Sequence, residues 1–244
     1  MWWVLYNLLI IVKFKHFSEQ FTSLMKLALS GVKSLKKKRQ YGGRIWLLSF
    51  VFTLTIQTIV ESGNGVVKLM FYKIQYNVEM SDLSYLMMMY SLLTIISQLV
   101  ILPVLSGRLG IRDTSIIIFA MLTNILGHLI FAISYNLPFL IVAYIIWAFY
   151  ANIATTSRSC LTKIVDHIEV GSVLGIVSIF QSLVPIASKP LYGFLYKNTL
   201  EVFPAAYLFV SMFLLTISLI TMIGTHVSMS RREKELKRQD NMEN

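Results

Sequence analysis

Ionisable side chains inside apolar segments are the first candidates for chemistry in this sequence. Glu61 lies within a long apolar stretch and is followed by Ser-Gly-Asn-Gly. A carboxyl group that is withdrawn from water favours its protonated form. The tetrapeptide is expected to weaken the helix, so that backbone carbonyls could line a cavity. We therefore predict that Glu61 exchanges a proton, the alternative being a surface glutamate that pairs with Lys68 or lies in water.

Two cations are candidates for binding an anionic substrate. Arg158 ends an apolar segment, and its guanidinium could hold a carboxylate or phosphate with two parallel hydrogen bonds. It could equally be a boundary arginine that reaches water and sets the orientation of the chain. Lys189 lies between Pro185 and Pro190, which weaken a helix on both sides. A lysine at such a depth needs a partner or a cavity.

Gln98 and Asn152 are predicted to line the same path, because they are polar and lie within apolar segments. The alternative is that they join neighbouring helices by hydrogen bonds. No metal site or cofactor is predicted, since the run of three methionines at 87–89 has no histidine or cysteine beside it. The sequence also has no phosphate-binding loop and no hydrolase motif, so we do not predict an enzyme.

The composition indicates a membrane protein. Of the 244 residues, 56% are hydrophobic and only 14% are charged, and the mean hydropathy is +0.67. A net charge of +10 would suggest nucleic acid as the partner of a soluble protein. Here the basic residues lie between apolar runs, where a membrane protein keeps its cytoplasmic face, so we predict lipid and no nucleic acid as partners.

The elements that must position these side chains are six apolar segments. Each is long enough as a helix to cross a hydrocarbon core of ~30 Å. The predicted fold is therefore all-α, a polytopic protein whose six-helix unit covers residues 45–225. The predicted spans are about 45–72, 84–106, 113–134, 137–157, 171–195 and 203–225.

The flanking segments and the charge pattern predict the orientation. Residues 1–12 are apolar but too short to cross, and are interpreted as the remnant of a preceding transmembrane helix or as an interfacial anchor. Residues 13–44 form a basic amphipathic segment, and residues 226–244 a basic tail. Eighteen lysines and arginines lie on one side of the spans, against Lys68, Lys73 and Lys197 on the other. This asymmetry predicts that both termini are cytoplasmic.

Three stretches of the sequence resemble one transporter family. They are 158–165 with Glu169 to Gly171, 190–200 with Phe203 and Pro204, and 107–113 with 124–127. The family is that of the proton-coupled folate transporter, solute carrier family 46. The resemblance implies uptake of a folate-like or other organic anion or zwitterion by proton-coupled symport, in the plasma membrane or the lysosomal membrane. It also implies that Arg158 takes part in proton coupling and substrate binding, and that Glu61 occupies or adjoins the place of a proton-responsive histidine.

The arrangement of the spans resembles the C-terminal half of a major facilitator transporter. The loop at 107–113 lies where that superfamily has a Gly-rich basic loop. In such transporters the substrate lies between two six-helix halves, so the resemblance implies a partner for this unit, either an N-terminal half or a second copy. The alternative function is that of a truncated product or fragment that does not transport, but binds or modulates a full-length transporter.

Overall fold

The computed structural model describes residues 30–31, 33–35, 37, 43–76, 80–134 and 136–243. The apolar segment predicted at 1–12 lies outside the described residues, as does most of the basic segment predicted at 13–44. Across the described residues every regular element is a helix.

The helices follow one another with short connections. The second is continued by two π-helical segments, Ser97–Ile101 and Val104–Arg108, and the fourth and fifth are joined by a 3-10 turn, Ala148–Ala151. The α-helices are α1 Gly43–Tyr76, α2 Met80–Ile96, α3 Asp113–Ile133, α4 Leu137–Trp147, α5 Asn152–Ile164, α6 Val170–Thr199 and α7 Ala206–Glu243.

Six helical segments are long and apolar enough to cross a membrane, which confirms the predicted fold class. They are Gly43–Tyr76, Ser81–Arg108, Asp113–Ile133, Pro138–Ile164, Val170–Thr199 and Ala206–Met242. We refer to Pro138–Ile164 as the fourth span, which combines α4, the 3-10 turn and α5. Six crossings place the start of α1 and the end of α7 at the same end of the bundle. The indole nitrogen of Trp46 accordingly donates a hydrogen bond of 3.1 Å to the Ser228 hydroxyl.

Two helices differ from the sequence prediction in ways that affect the site. The fourth span continues beyond Arg158 to Ile164, because Cys160 and Leu161 pack into the buried core and keep this part helical. Helix α1 passes without a break through the Ser-Gly-Asn-Gly segment, where a weakened helix was expected. Arg158 therefore lies within a helix and not at its end.

Helices α1 and α3 form the centre of the bundle. Helix α1 packs against α5, α6 and α7, and α3 packs against α4, α5 and α7. One close approach depends on Gly63 of α1, where a Cβ atom would overlap the ring of Tyr192 on α6. The span that contains α2 lies at the edge of the bundle, and few of its residues are fully buried.

The core consists of two large apolar clusters and a small third one, formed by Ile56, Val60 and Leu215. We call the end of the bundle that holds Trp46 and the end of α7 the basic end. The cluster nearer to it is mainly aliphatic and includes Leu47, Ile117 and Met222. The cluster at the opposite end is aromatic, and its buried rings are those of Phe71, Tyr72, Phe131, Tyr144, Trp147, Tyr192, Tyr196 and Tyr207.

The described part of the predicted basic segment contacts the start of α6. The Ser30 hydroxyl donates a hydrogen bond of 2.6 Å to Ser172, and the Lys37 ammonium donates one of 2.5 Å to Glu169. The hydrogen bond to Glu169 raises the pKa of Lys37 above its ordinary value. These contacts hold Ser30 and Lys37 against the bundle at its basic end.

Candidate substrate and proton site

Glu61 lies on an exposed face of α1, in contact with the fourth span. The hydroxyl of Tyr150 donates a hydrogen bond of 3.1 Å to its Oε1 atom. Tyr150 is in the 3-10 turn, where residues three apart are eclipsed, so its ring stacks almost parallel on that of Trp147. Glu61 is thus an exposed carboxylate that accepts a hydrogen bond from a neutral donor.

Arg158 is also exposed and is connected to the helix that carries Glu61. Its guanidinium donates a hydrogen bond of 2.7 Å to Oε1 of Gln181 on α6. The amide nitrogen of Gln181 donates one of 3.2 Å to the Thr58 hydroxyl, and Thr58 lies one turn before Glu61 on α1. The three helices α1, α5 and α6 therefore bring Arg158 and Glu61 onto one polar surface. We call the set Thr58, Glu61, Tyr150, Arg158 and Gln181 the polar surface.

Lys189 is an exposed residue on α6 beside the point where α6 meets α1. Its neighbour Ser188 is buried, and the Ser188 hydroxyl lies 2.6 Å from that of Ser62, the residue after Glu61. Lys189 and Glu61 are therefore at the same level of the bundle. Among the described residues no carboxylate lies within ion-pairing distance of Lys189.

Gln98 and Asn152 occupy different environments. Gln98 is partly buried, and its amide donates a hydrogen bond of 3.4 Å to the Ala151 carbonyl, next to Tyr150 and the polar surface. Asn152 is fully buried and donates a hydrogen bond of 2.7 Å to the Ser97 hydroxyl, at the start of the π-helical segment. The structure therefore places Gln98 beside the polar surface and Asn152 between the second and fourth spans.

A buried polar network lies behind the polar surface. The Trp147 indole donates to Asn124, whose amide donates a hydrogen bond of 3.2 Å to Gln57 on α1. His128 lies 2.8 Å from the Asn124 carbonyl through Nδ1 and 2.8 Å from the amide of Asn64 through Nε2. Because a carbonyl can only accept, Nδ1 carries the proton and Nε2 accepts from Asn64. The histidine is held neutral between two helices.

Lys68 was predicted only as a possible partner of Glu61 and was counted with the basic residues on the far side of the spans. The structure places it within α1, as the predicted span 45–72 implies, two turns after Glu61, and surrounds its ammonium with aromatic rings. Its ammonium lies 4.2 Å from the centre of the Trp147 ring and 4.6 Å from that of Tyr144. Three further rings, those of Tyr72, Tyr90 and Phe131, lie within 5.8 Å. The feature of the sequence that could have indicated this aromatic environment is the series of aromatic residues three apart, at 144, 147 and 150.

A separate cavity of about 510 Å³ opens at the basic end. Its charged side chains are all engaged in ion pairs: Asp113 accepts a short hydrogen bond from Lys163, Arg112 lies 2.7 Å from Glu233, and Arg232 lies 3.3 Å from Glu235, just outside the lining. This cavity shares no residue with the polar surface. Because its charged groups already have partners of opposite charge, we regard the polar surface as the candidate site.

Comparison with known protein families gives one match. Residues 45–242, which is most of the chain, match the family model described as Major Facilitator Superfamily. No curated protein matches the chain significantly.

Proposed function

This chain belongs to the major facilitator superfamily of membrane transporters, and we propose that it moves an organic anion or zwitterion together with protons. The observation that carries the proposal is the polar surface, on which an exposed arginine is linked through Gln181 to Thr58, one turn before an exposed carboxylate on the same helix. Charged groups on the helices of an apolar bundle are retained mainly where they line a path for a solute or an ion.

Each member of the surface has a role in this proposal. Arg158 attracts the anionic group of the solute and donates two hydrogen bonds to it, while its hydrogen bond to Gln181 holds the guanidinium in place. Glu61 takes up the coupled proton, and its protonation removes a negative charge that would repel the anion. Lys189 and Gln98 lie at the margin of the surface and contact the solute there. Asn152 joins the second and fourth spans, in a supporting role.

The proposed transport is by alternating access, which needs a second wall facing the polar surface. We propose that another six-helix unit supplies it, either an N-terminal half or a second copy of this chain. We also propose that the basic end faces the cytoplasm, in a plasma or lysosomal membrane. The resemblance of 158–165 and 190–200 to the proton-coupled folate transporter family supports a folate-like solute or another organic anion.

Uptake of radiolabelled folic acid into proteoliposomes tests this function. The purified protein is reconstituted with an acidic exterior or with equal pH on both sides, and a pH-sensitive dye inside the vesicles reports proton entry. We expect faster uptake with the acidic exterior, accompanied by proton entry. Glu61→Gln should remove the dependence on pH, and Arg158→Ala should abolish uptake. Glu201→Gln, which changes an exposed carboxylate in the connection before α7, is the matched control.

Uptake that is unchanged by pH and by Arg158→Ala would contradict the assigned roles. A protein that takes up no organic anion, alone or with a second six-helix unit, would favour the alternative, in which the chain binds or modulates a complete transporter.

A further inference from the structure

Lys68 is a cation surrounded by aromatic rings. Five ring centres lie 4.2–5.8 Å from its ammonium, the nearest being that of Trp147. Among the described residues no carboxylate lies within ion-pairing distance of it. A desolvated ammonium is attracted to the negative faces of aromatic rings, most strongly to that of tryptophan. The Lys68 ammonium and the ring of Trp147 therefore hold each other in position.

Trp147 transmits this position to Tyr150. The two rings have centres 4.8 Å apart and planes that differ by 12°. Tyr90 of α2 stacks on the same pair, with its centre 5.2 Å from that of Trp147. The parallel stack exists because the fourth span changes from α-helix to a 3-10 turn after Trp147, which brings residues 147 and 150 into register. In a continuous α-helix the two rings would point about 60° apart.

Tyr150 in turn contacts Glu61. The series of contacts from Lys68 through Trp147 and Tyr150 therefore returns to α1, the helix on which it begins. Its hydroxyl donates to Glu61 at 3.1 Å, and Glu61 and Lys68 are seven residues apart, or about 10 Å along the helix. Helix α1 is therefore held by one aromatic stack at two points, a cation over the ring of Trp147 and an anion at the hydroxyl of Tyr150.

We propose that Lys68 is a positioning residue, whose ammonium holds the Trp147–Tyr150 stack in the place from which the Tyr150 hydroxyl reaches Glu61. This inference rests on the proposed function, in which Glu61 takes up the coupled proton. Lys68 does not contact the solute. It sets how readily Glu61 is protonated, because the hydrogen bond from Tyr150 stabilises the ionised carboxylate.

The other titratable groups near the stack come from every neighbouring helix. Tyr72 of α1, Tyr90 of α2 and Tyr144 of α4 face the ammonium, and His128 of α3 contacts Trp147 at 5.6 Å with perpendicular rings. On the side of Glu61 the charged groups are Arg158, which is reached through Gln181 and Thr58, and Lys189, next to Ser188.

Carbodiimide labelling of Glu61 tests the inference on the purified full chain in detergent. Carbodiimides react with protonated carboxyl groups, and mass spectrometry of the labelled peptide reports Glu61 alone. We expect Lys68→Met and Tyr150→Phe each to speed labelling at pH 7 by about fivefold, the order expected for loss of one hydrogen bond to a carboxylate. Lys68→Arg should restore the slow reaction, and Lys73→Met, which removes an exposed lysine from the same end of α1, should leave it unchanged.

The double variant Lys68→Met with Tyr150→Phe tests whether Lys68 acts on Glu61 by positioning Tyr150 or directly through its charge. If Lys68 acts through Tyr150, the double variant should be labelled no faster than Tyr150→Phe. Additive effects, or a Lys68→Met rate equal to that of the unchanged protein, would overturn the inference. Should Lys68→Met fail to fold, Lys68→Gln replaces it. Labelling needs neither solute nor gradient, so a protein without transport but with the expected labelling would refute only the proposed function.

Discussion

The indole nitrogen of Trp147 donates a hydrogen bond of 2.6 Å to the side-chain oxygen of Asn124, in the buried centre of the bundle. The amide nitrogen of Asn124 donates in turn to Gln57, at 3.2 Å. One side chain of α3 therefore joins the first, third and fourth spans. Trp147 is thus held by two contacts. The edge of its indole donates to Asn124, and the face of its ring lies against the Lys68 ammonium.

Replacement of Asn124 should destabilise the bundle. Asn124→Ala leaves the Trp147 indole and the Gln57 amide without partners in a buried site, which we expect to lower the free energy of unfolding by about 1–3 kcal/mol. Thermal unfolding of the purified protein in detergent measures the effect. Asn198→Ala is the control, because Asn198 is exposed and donates to the Phe194 carbonyl of its own helix. Equal melting temperatures for the two variants would show that the network carries no stability.

The contact between α1 and α6 predicts opposite effects for two neighbouring glycines. A methyl group at Gly63 would overlap the buried ring of Tyr192, so Gly63→Ala should destabilise the protein by about 1–3 kcal/mol. At Gly65 nothing lies within 4 Å of an added Cβ atom, and alanine is the better helix former by about 1 kcal/mol. Gly65→Ala should therefore raise the melting temperature. The prediction is wrong if both variants shift it in the same direction.

The geometry of Arg158 predicts that a lysine cannot replace it. Only a guanidinium can reach Gln181 and present two parallel donors to a carboxylate, so Arg158→Lys should reduce uptake by at least about tenfold. Gln181→Ala keeps the charge of Arg158 but removes the side chain that holds its guanidinium. We expect a rise in the KM for folic acid with little change in the maximal rate of uptake. Uptake of labelled folic acid into proteoliposomes measures both variants. Arg231→Ala, at an exposed arginine of α7, should behave as the unchanged protein.

Cysteine labelling tests the orientation. The chain has a single cysteine, Cys160, which is buried and can be replaced by serine. In that background we expect His167→Cys, in the exposed connection before α6, to react with an impermeant maleimide only from the cytoplasm. Glu201→Cys, in the connection at the other end of the bundle, should react only from the opposite side. Labelling of both from the same side would contradict the six-span arrangement.

The fold was predictable because the length of an apolar segment decides whether it can cross a bilayer as a helix. Six apolar runs gave six spans, and the fold class is confirmed. The ends of the spans were less predictable, since they depend on packing. Arg158 is followed by six more helical residues because Cys160 and Leu161 are buried, and the Ser-Gly-Asn-Gly segment is helical where Gly63 packs against the ring of Tyr192.

The environment of single side chains was harder to predict. Lys68 could be recognised as a cation near an apolar run, but its rings come from residues up to 79 positions away, at Trp147 and Tyr144 among others. The hydrogen bond from Tyr150 to Glu61 depends on a 3-10 turn that no local residue specifies. The roles given to Glu61, Arg158, Lys189, Gln98 and Asn152 remain predictions for the experiments above.

Helix α7 has 38 residues and is therefore about 57 Å long, nearly twice the thickness of the hydrocarbon layer. Its last turns extend beyond the bilayer as a stiff rod and are fastened at their base to the connection before α3, where Arg112 binds Glu233 and Ser230. Any tilt of α7 during a transport cycle is consequently magnified at the distal tip of the rod. A fluorophore attached near Met242 should therefore move farther than one within the membrane. This end of α7 is suitable for single-molecule measurements of the transport cycle.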